Sequence, residues 1–388
     1  MDPSQTTYAD LMSFGSESTL PRILARQAEK MGRSEIAIRE KAYGIWQTYT
    51  WQDYFDYVKK VGLGLKALGL KRGENIGLIT NNHPEWLYSE LGGQAVGSVT
   101  VNLFTSAVAE ELSFSLNRIQ AAYVIVQDQE QTDKLIETRD KLSHLRKVIY
   151  IDPTGMMRNY QKDDWLLSFS QLLELGDELD RKEPGLFEKE LALGRHDDCA
   201  VMIQTSGTTG MPKLAMLSHR NFAEMAAQWI EAIHIRVAEN WISMSPPAWI
   251  VDQMWGIGVS LLGGMTMNFP ETPETITEDF REIGPSTIIT ASRFWEELAS
   301  KIRVKMSDSG WIKRKLFSFA ENVGRRVVDR QTNKRSIPFF MKCAHWLSRI
   351  LIYRPLLDRV GCINFRSAYT GGHPISPDVI RFFRAIGL

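Results

Sequence analysis

The chain is poor in cysteine: 388 residues hold three, Cys199, Cys343 and Cys362, with no CxxC pair and no Cys/His spacing. That speaks against a disulfide framework and against a structural zinc site, and a reducing compartment fits best. No charge-free run is long enough to cross a bilayer, and the opening MDPSQTTYADLMSF has acidic residues but no apolar core of signal-peptide length. A cytoplasmic protein is expected, with peripheral membrane attachment left open. Net charge is lacking too, since 46 Lys and Arg balance 46 Asp and Glu. No recognised nucleic-acid module accompanies that balance, so no nucleic-acid partner is expected. What is present, 44% hydrophobic and 24% charged residues, is the make-up of a globular protein and not of a disordered one.

The balanced charge is unevenly placed. Between Lys301 and Val360 there are 15 Lys and Arg against 4 Asp and Glu, a local excess of 11, so the remainder carries the opposite charge. Within it, WIKRKLFSFAENVGRRVV and FFMKCAHWLSRILIYRPLL interleave apolar and basic residues, as amphipathic helices with cationic faces do. Two readings stand: a solvated basic face over a buried stripe, or attraction to an anionic membrane or an acidic partner.

From Asn75 to Asp152 short apolar runs (NIGLIT, SVTVNLF, AAYVIVQ, KVIYID) alternate with amphipathic stretches (PEWLYSELGGQAV, VAEELSFSLNRI, QTDKLIETRDKL). Strand and helix in turn imply a mostly parallel sheet with helices on both faces and ligands at the carboxyl ends of the strands. The second half alternates in the same way, without repeating the sequence. WISMSPP, MTMNFP, STIITAS and CINFRSAY read as strands, with helices near Val251–Leu262, Thr275–Ile283, Arg293–Ser307 and Pro377–Ile386. The charged, turn-rich stretch from Gly155 to Leu193 is the expected connection. The organisation read is a first α/β subdomain over 1–190 and a second over 191–388, the latter with a basic helical insertion at 301–360.

Chemistry concentrates at residues 202 to 213, Met-Ile-Gln-Thr-Ser-Gly-Thr-Thr-Gly-Met-Pro-Lys. Cys199–Ile203 and Leu214–Leu217 read as strands, which hangs Thr205 to Lys213 between them as a loop. Gly207 and Gly210 let backbone approach an anion, Ser206, Thr208 and Thr209 offer hydroxyls, and Lys213 adds a point charge after Pro212. The commoner P-loop is excluded, because Pro212 stands where that pattern needs glycine and no helix follows directly. A Ser/Thr/Gly surface loop with a stray lysine is the plain alternative.

The longer string TSGTTGMPKLAMLSHRN, Thr205 to Asn221, resembles the phosphate-loop signature of the adenylate-forming superfamily, which comprises acyl-CoA synthetases, luciferases and peptide-synthetase adenylation domains. The similarity runs from STLPRILARQAEKMG to the final RFFRAIGL. It implies an α/β fold, the large N-terminal domain of an adenylate-forming enzyme with two helix-flanked, mostly parallel β-sheet subdomains. It implies that Thr205, Ser206, Gly207 and Gly210 bind the ATP phosphates and that Thr208, Thr209 and Lys213 serve catalysis. Gly371, Gly372, His373 and Pro374, in AYTGGHPISPDV, resemble the adenine-binding segment, although a plain helix start capped by Ser376 with Pro377 in its first turn also explains them. Both glycine clusters are expected to face one cleft.

WISMSPPAWIVDQMWGIG resembles the segment that walls the acyl site. There Trp249 and Trp255 are candidates to line or gate a tunnel, or else are core. Asp252 is a pocket acid or a carboxylate at a helix start. The basic insertion and ASRFWEELASKI resemble long-chain acyl-CoA synthetases, which implies a fatty acid substrate, with ATP, magnesium and coenzyme A. Two departures are noted: Leu214 stands where relatives usually carry glycine, and the chain stops at Leu388, before the superfamily's Tyr-Gly-x-Thr-Glu segment, ribose-binding aspartate, hinge and small C-terminal domain. A truncated, inactive portion of a ligase is therefore expected. The alternatives are a non-catalytic nucleotide- and acyl-binding module, or a ligase for an aromatic or medium-chain acid.

Overall fold

Alternating apolar and amphipathic runs become strand and helix in turn. A computed structural model describes residues 18–156, 160, 162–205, 213–235, 237–272 and 274–388. The chain forms two units: one runs to Glu239 and takes in Ser243–Phe269, the other joins Asn240–Ile242 to Pro270–Leu388. The first unit contains β1 (Ile36–Ala42), β2 (Ile45–Thr50), β3 (Asn75–Ile79), β4 (Val99–Asn102), β5 (Ala121–Val126), β6 (Lys147–Tyr150), β7 (Leu166–Ser168), β8 (Cys199–Thr205) and β9 (Lys213–Ser218). β10 (Asn240–Ile242) counts with the second unit, β11 (Thr266–Phe269) with the first.

Seven strands make the main sheet of the first unit, in the order β7-β6-β5-β3-β4-β8-β9, parallel except for the β8–β9 pair. Burial on both faces explains the near-continuous apolar runs: every residue of β5 is buried, and all of β3 but Asn75. The Pro84–Ala95 helix, opened by proline in its first turn, is buried at every residue except Glu85. On the other face Leu112 and Leu116 of the Ala109–Arg118 helix join Val101, Val124 and Val148 in one cluster. Leu116→Ala there removes about 2–5 kcal/mol.

The expected boundary at 190/191 is displaced. β8 hydrogen-bonds to β4 in parallel register, Thr100 opposite Val201, so the sheet carries the chain past that point. The stretch read as a connection instead folds into β7 and the Phe169–Lys182 and Leu186–Leu193 helices, against the Trp51–Ala67 helix. Three of its carboxylates pair with lysines of that helix, Lys59–Asp180 at 3.0 Å, Lys60–Asp177 at 3.0 Å and Lys66–Glu190 at 2.8 Å. Two glycines set the approach: a Cβ on Gly64 would lie 2.3 Å from the Leu172 carbonyl oxygen, and one on Gly176 2.0 Å from that of Lys60.

The strands read together in the second half are divided. β11 pairs in parallel with β1, Ile38 opposite Met267, and so belongs to the first unit. The second unit keeps a parallel pair, β12 (Thr287–Ala291) and β13 (Ser367–Gly371), the latter starting five residues later than the apolar run CINFRSAY. The helices Ser292–Ser307, Trp311–Thr332, Phe339–Ser348 and Arg354–Arg359 carry the basic segment. Phe317, Ala320, Gly324, Val327 and Val328 form the inward stripe of Trp311–Thr332, which packs on the Pro377–Ala385 helix. Among the described residues no helix is long and apolar enough to cross a membrane.

Candidate nucleotide and acyl site

The segment rich in hydroxyls and glycine follows β8 and precedes β9. β8 and β9 run antiparallel with Thr205 opposite Lys213, and the Thr205 hydroxyl donates to the Lys213 carbonyl at 3.4 Å. Ser206, Gly207, Thr208, Thr209 and Gly210 lie outside the described residues. Thr205 and Lys213 are both exposed, at the carboxyl end of β8, where open α/β sheets take their ligands. Leu214 opposes Gln204 in β9 and is half-buried against the Leu112–Val124 cluster. The departure from glycine is thus a strand residue filling an apolar surface. Gln204 ties the hairpin to the helix below it, its amide donating to the Ser115 hydroxyl at 2.9 Å.

β9 turns directly into the His219–Ile233 helix, where the Ser218 hydroxyl accepts from the Asn221 amide and Asn221 reaches back, a reciprocal cap. The fully buried His219 accepts at Nδ1 from the Leu20 amide at 3.2 Å, and burial pushes its pKa down to about 3. It is a neutral structural group.

Against this helix packs a π-helix, Gln253–Val259, between the α-helical turns Ile250–Asp252 and Ser260–Gly263. Asp252 is fully buried, so it does not solvate a helix start. Its carboxylate accepts from Asn82 Nδ2 at 2.7 Å, the Ser243 hydroxyl at 2.9 Å and the Ser245 amide at 3.1 Å. Asn82 follows β3 at its carboxyl end, so Asp252 fastens the Ser243–Trp249 loop to the edge where a ligand is expected. The next residue repeats the device. Gln253 donates to Glu90 at 3.0 Å and to the Pro247 carbonyl at 3.0 Å, while Glu90 also accepts from Trp86 Nε1 at 2.8 Å and Asn102 at 2.9 Å. Burial pushes the Glu90 carboxyl above its usual range, and the donors from Gln253, Asn102 and Trp86 oppose that only in part.

Trp255 is buried, its ring 5.4 Å from that of Trp229, and serves the core of this wall. Trp249 is half-buried at the start of the Ile250–Asp252 turn. Asn82, Glu90, Ser243 and Gln253 were not singled out from sequence. The one available signal was the polar run TNNHP directly after a buried strand.

The second unit holds the other candidate. β13 ends at Gly371, and Gly372, with φ +86°, reverses the chain in the left-handed region that favours glycine. Gly372, His373 and Pro374 are exposed. Ser376 then caps the Pro377–Ala385 helix, accepting from the Asp378 amide, and proline occupies its first turn. The helix-start reading therefore holds, whatever else the turn does. Beside it a cavity of about 160 Å³ is lined by Trp295, Tyr369, Thr370, Ile375 and Phe383, an apolar place suited to a flat ring. Among the described residues no cluster of three His, Cys, Asp or Glu could hold a metal ion. Magnesium held chiefly by phosphates needs few protein ligands.

The fold is that of adenylation domains. The adenylation domain of a carboxylate reductase from Mycobacterium chelonae superposes with a TM-score of 0.72 at 15% identity, over 97% of this chain and 58% of that one. The N-terminal domain of FACL13 from Mycobacterium tuberculosis, solved with an inhibitor, gives 0.64 at 18%, over 95% and 73%. Residues 24–388 match the family of AMP-binding enzymes, and the chain belongs to that family. It is 27% identical over 380 residues to the long-chain-fatty-acid–CoA ligase ACSBG2 of Rattus norvegicus, covering 95% of this chain and 55% of the relative. With the long-chain-fatty-acid–CoA ligase heimdall of Drosophila melanogaster it shares 26% over 353 residues, covering 88% and 50%. The chain spans about half the length of the curated relatives it matches.

Proposed function

We propose that this chain carries the ATP- and acid-binding parts of an AMP-forming fatty acid–CoA ligase. The observation that carries the reading is the hairpin closed by Thr205 and Lys213 around a loop of hydroxyls and glycines, in a chain matched to AMP-binding enzymes over nearly its whole extent. In the proposed reaction a carboxylate oxygen attacks the α-phosphorus of ATP and pyrophosphate leaves, giving an acyl-adenylate. The thiol of coenzyme A then attacks the acyl carbon and releases AMP. Negative charge grows on phosphate oxygens in the first step, so Lys213 with the hydroxyls of Thr205, Ser206, Thr208 and Thr209 stabilises it, while Gly207 and Gly210 admit the phosphates to the backbone. Magnesium supplies further neutralisation of that charge.

Gly371, Gly372, His373 and Pro374 hold the adenine in this reading. Trp249 faces the acid, and Asp252, with Trp255 behind it, positions the wall. A long-chain acid is favoured by the names of the relatives and by the basic helical segment. Peripheral attachment of a cytoplasmic protein through that segment would meet an acid that partitions into lipid.

ATP–pyrophosphate exchange with a panel of acids tests the reading. Exchange strongest with long-chain acids and reduced about 10²–10³-fold in Lys213→Ala supports it. Silence with every acid from a folded chain that still binds ATP, both alone and supplied with the C-terminal domain of a long-chain ligase, leaves the non-catalytic binding module.

A further inference from the structure

Two helices of the second unit turn hydrocarbon outward. Phe339, Phe340, Cys343, Trp346, Leu347, Ile350 and Leu351 recur at helical spacing along Phe339–Ser348 and the π-helical Arg349–Tyr353, and all are exposed, Phe339 by 82% and Trp346 by 63%. A stripe of this spacing ordinarily marks the face that meets the core. Here the inward side is held by other groups. Ser348 and Tyr353 are buried, and the Tyr353 hydroxyl donates to the Ala320 carbonyl. The neighbouring Trp311–Thr332 helix adds Trp311, Ile312, Leu316 and Phe319, exposed opposite its buried stripe.

The charge around these side chains has one sign. Between Asp329 and Asp358 the sequence has no acidic residue and six Lys or Arg: Arg330, Lys334, Arg335, Lys342, Arg349 and Arg354. Ion pairs of this unit engage Arg293, Arg303, Arg325 and Arg381 with Glu297, Asp378, Glu321 and Asp329. Among the described residues no carboxylate lies within ion-pair distance of Lys313, Lys315, Lys342, Arg349 or Arg354. Arg349 and Arg354 also border a cavity of about 470 Å³ together with Trp346, Ile350 and Leu357, which sets two guanidinium groups beside an apolar wall.

We infer that Phe339–Tyr353, with the first turns of Trp311–Thr332, lies in the surface of an anionic lipid bilayer: Phe339, Phe340, Trp346, Leu347 and Leu351 enter the acyl boundary, and Lys342, Arg349 and Arg354 meet lipid phosphates. Aromatic and aliphatic side chains projecting from a carboxylate-free basic helix are what an interfacial helix presents. An acidic protein partner would match the cations but leave the phenylalanines, tryptophan and leucines without the hydrocarbon they need. The inference rests on the proposed fatty-acid reading only for its purpose, as the route by which a lipid-dissolved acid is met.

Co-sedimentation of the full chain with phosphatidylcholine vesicles, with and without phosphatidylserine, tests it without ATP or acid present. Binding to the mixed vesicles should exceed binding to neutral ones by roughly tenfold or more and weaken with salt. Phe339→Ser with Trp346→Ser, and separately Lys342→Gln with Arg349→Gln, should each lower it about tenfold or more. These positions are exposed, and circular dichroism verifies that each variant is folded. An environment-sensitive fluorophore on Cys343, in a Cys199→Ala, Cys362→Ala background, should shift to the blue on mixed vesicles. Absence of binding by the folded chain, or binding by either variant undiminished from that of the parent, overturns the inference. So does a dimer in sedimentation equilibrium that the apolar substitutions abolish, since that assigns the face to a second copy. With no substrate in the tube, failure here leaves the adenylation reading intact, and a silent exchange assay leaves the docking surface intact.

Discussion

The two π-helical stretches among the described residues sit in opposite environments. Gln253–Val259 is interior and begins beside two buried carboxylates, Asp252 and Glu90. Arg349–Tyr353 is superficial and continues a stripe of exposed Phe, Trp, Leu and Ile. Folding by hydrophobic burial alone would reverse both, with charge outside and hydrocarbon inside. Each violation is locally costly, so each marks a place where something besides stability has shaped the molecule. In the first unit the buried charge fastens a loop to the ends of parallel strands. In the second the exposed hydrocarbon is left for another phase to cover.

The sharpest way to break the comparison is to remove the interior charge. Asp252→Ala leaves the Ser243 hydroxyl and the Ser245 amide without their acceptor, while Asn82 keeps Ser243 Oγ and the Ser245 carbonyl, and should cost about 3 kcal/mol in urea unfolding. Glu90 is expected to show its burial through pH. Its folded pKa lies above the unfolded 4.5, so its stabilising contribution is complete below 4.5 and is lost as pH rises through the folded value. Glu90→Gln should remove that slope, with a net change of about 1 kcal/mol at neutral pH, measured by denaturation across a pH series.

A surface carboxylate of the second unit should behave oppositely. Hydrogen bonds from Arg325 and Arg303 hold Asp378 down to about 2, so its contribution is present above the unfolded 3.8 and is lost as pH falls towards 2. Half its side chain is exposed, and after solvent screening Asp378→Asn should cost about 1 kcal/mol, seen as a smaller loss of stability on acidification than in the parent. The smallest effect belongs to the exposed stripe. Phe340→Ser and Leu351→Ser should each change unfolding free energy by no more than about 0.5 kcal/mol, since neither supports the core. A larger loss in either would place that side chain in the packing and end the contrast.

Sequence and structure agree where the physics is local. Strands β3 to β6 and the helices between them were legible because each run has its own period, and the β8–β9 hairpin because two apolar runs flank a loop of glycine and hydroxyl residues. The boundary at 190/191 and the second sheet were misplaced for one reason. The pairing of β4 with β8 and of β1 with β11 joins residues far apart in the chain, and periodicity carries no sign of which strand meets which. The Glu90 network was hidden because PEWLYSELGGQAV reads as amphipathic, whereas the sheet and neighbouring helices enclose it on every side. Trp249 and Asp252 were visible as residue types, but burial alone told the anchoring carboxylate from a solvated one.

β9 is one of the two edge strands of the seven, and the outer side of an edge strand is a row of backbone groups with which a stray extended segment can pair. The cation at its first position and the capped helix at its end are among the means by which natural sheets refuse such additions. A charge at the start of an edge strand opposes such pairing, so Lys213→Ala is expected to raise light scattering at high protein concentration as well as to weaken nucleotide binding.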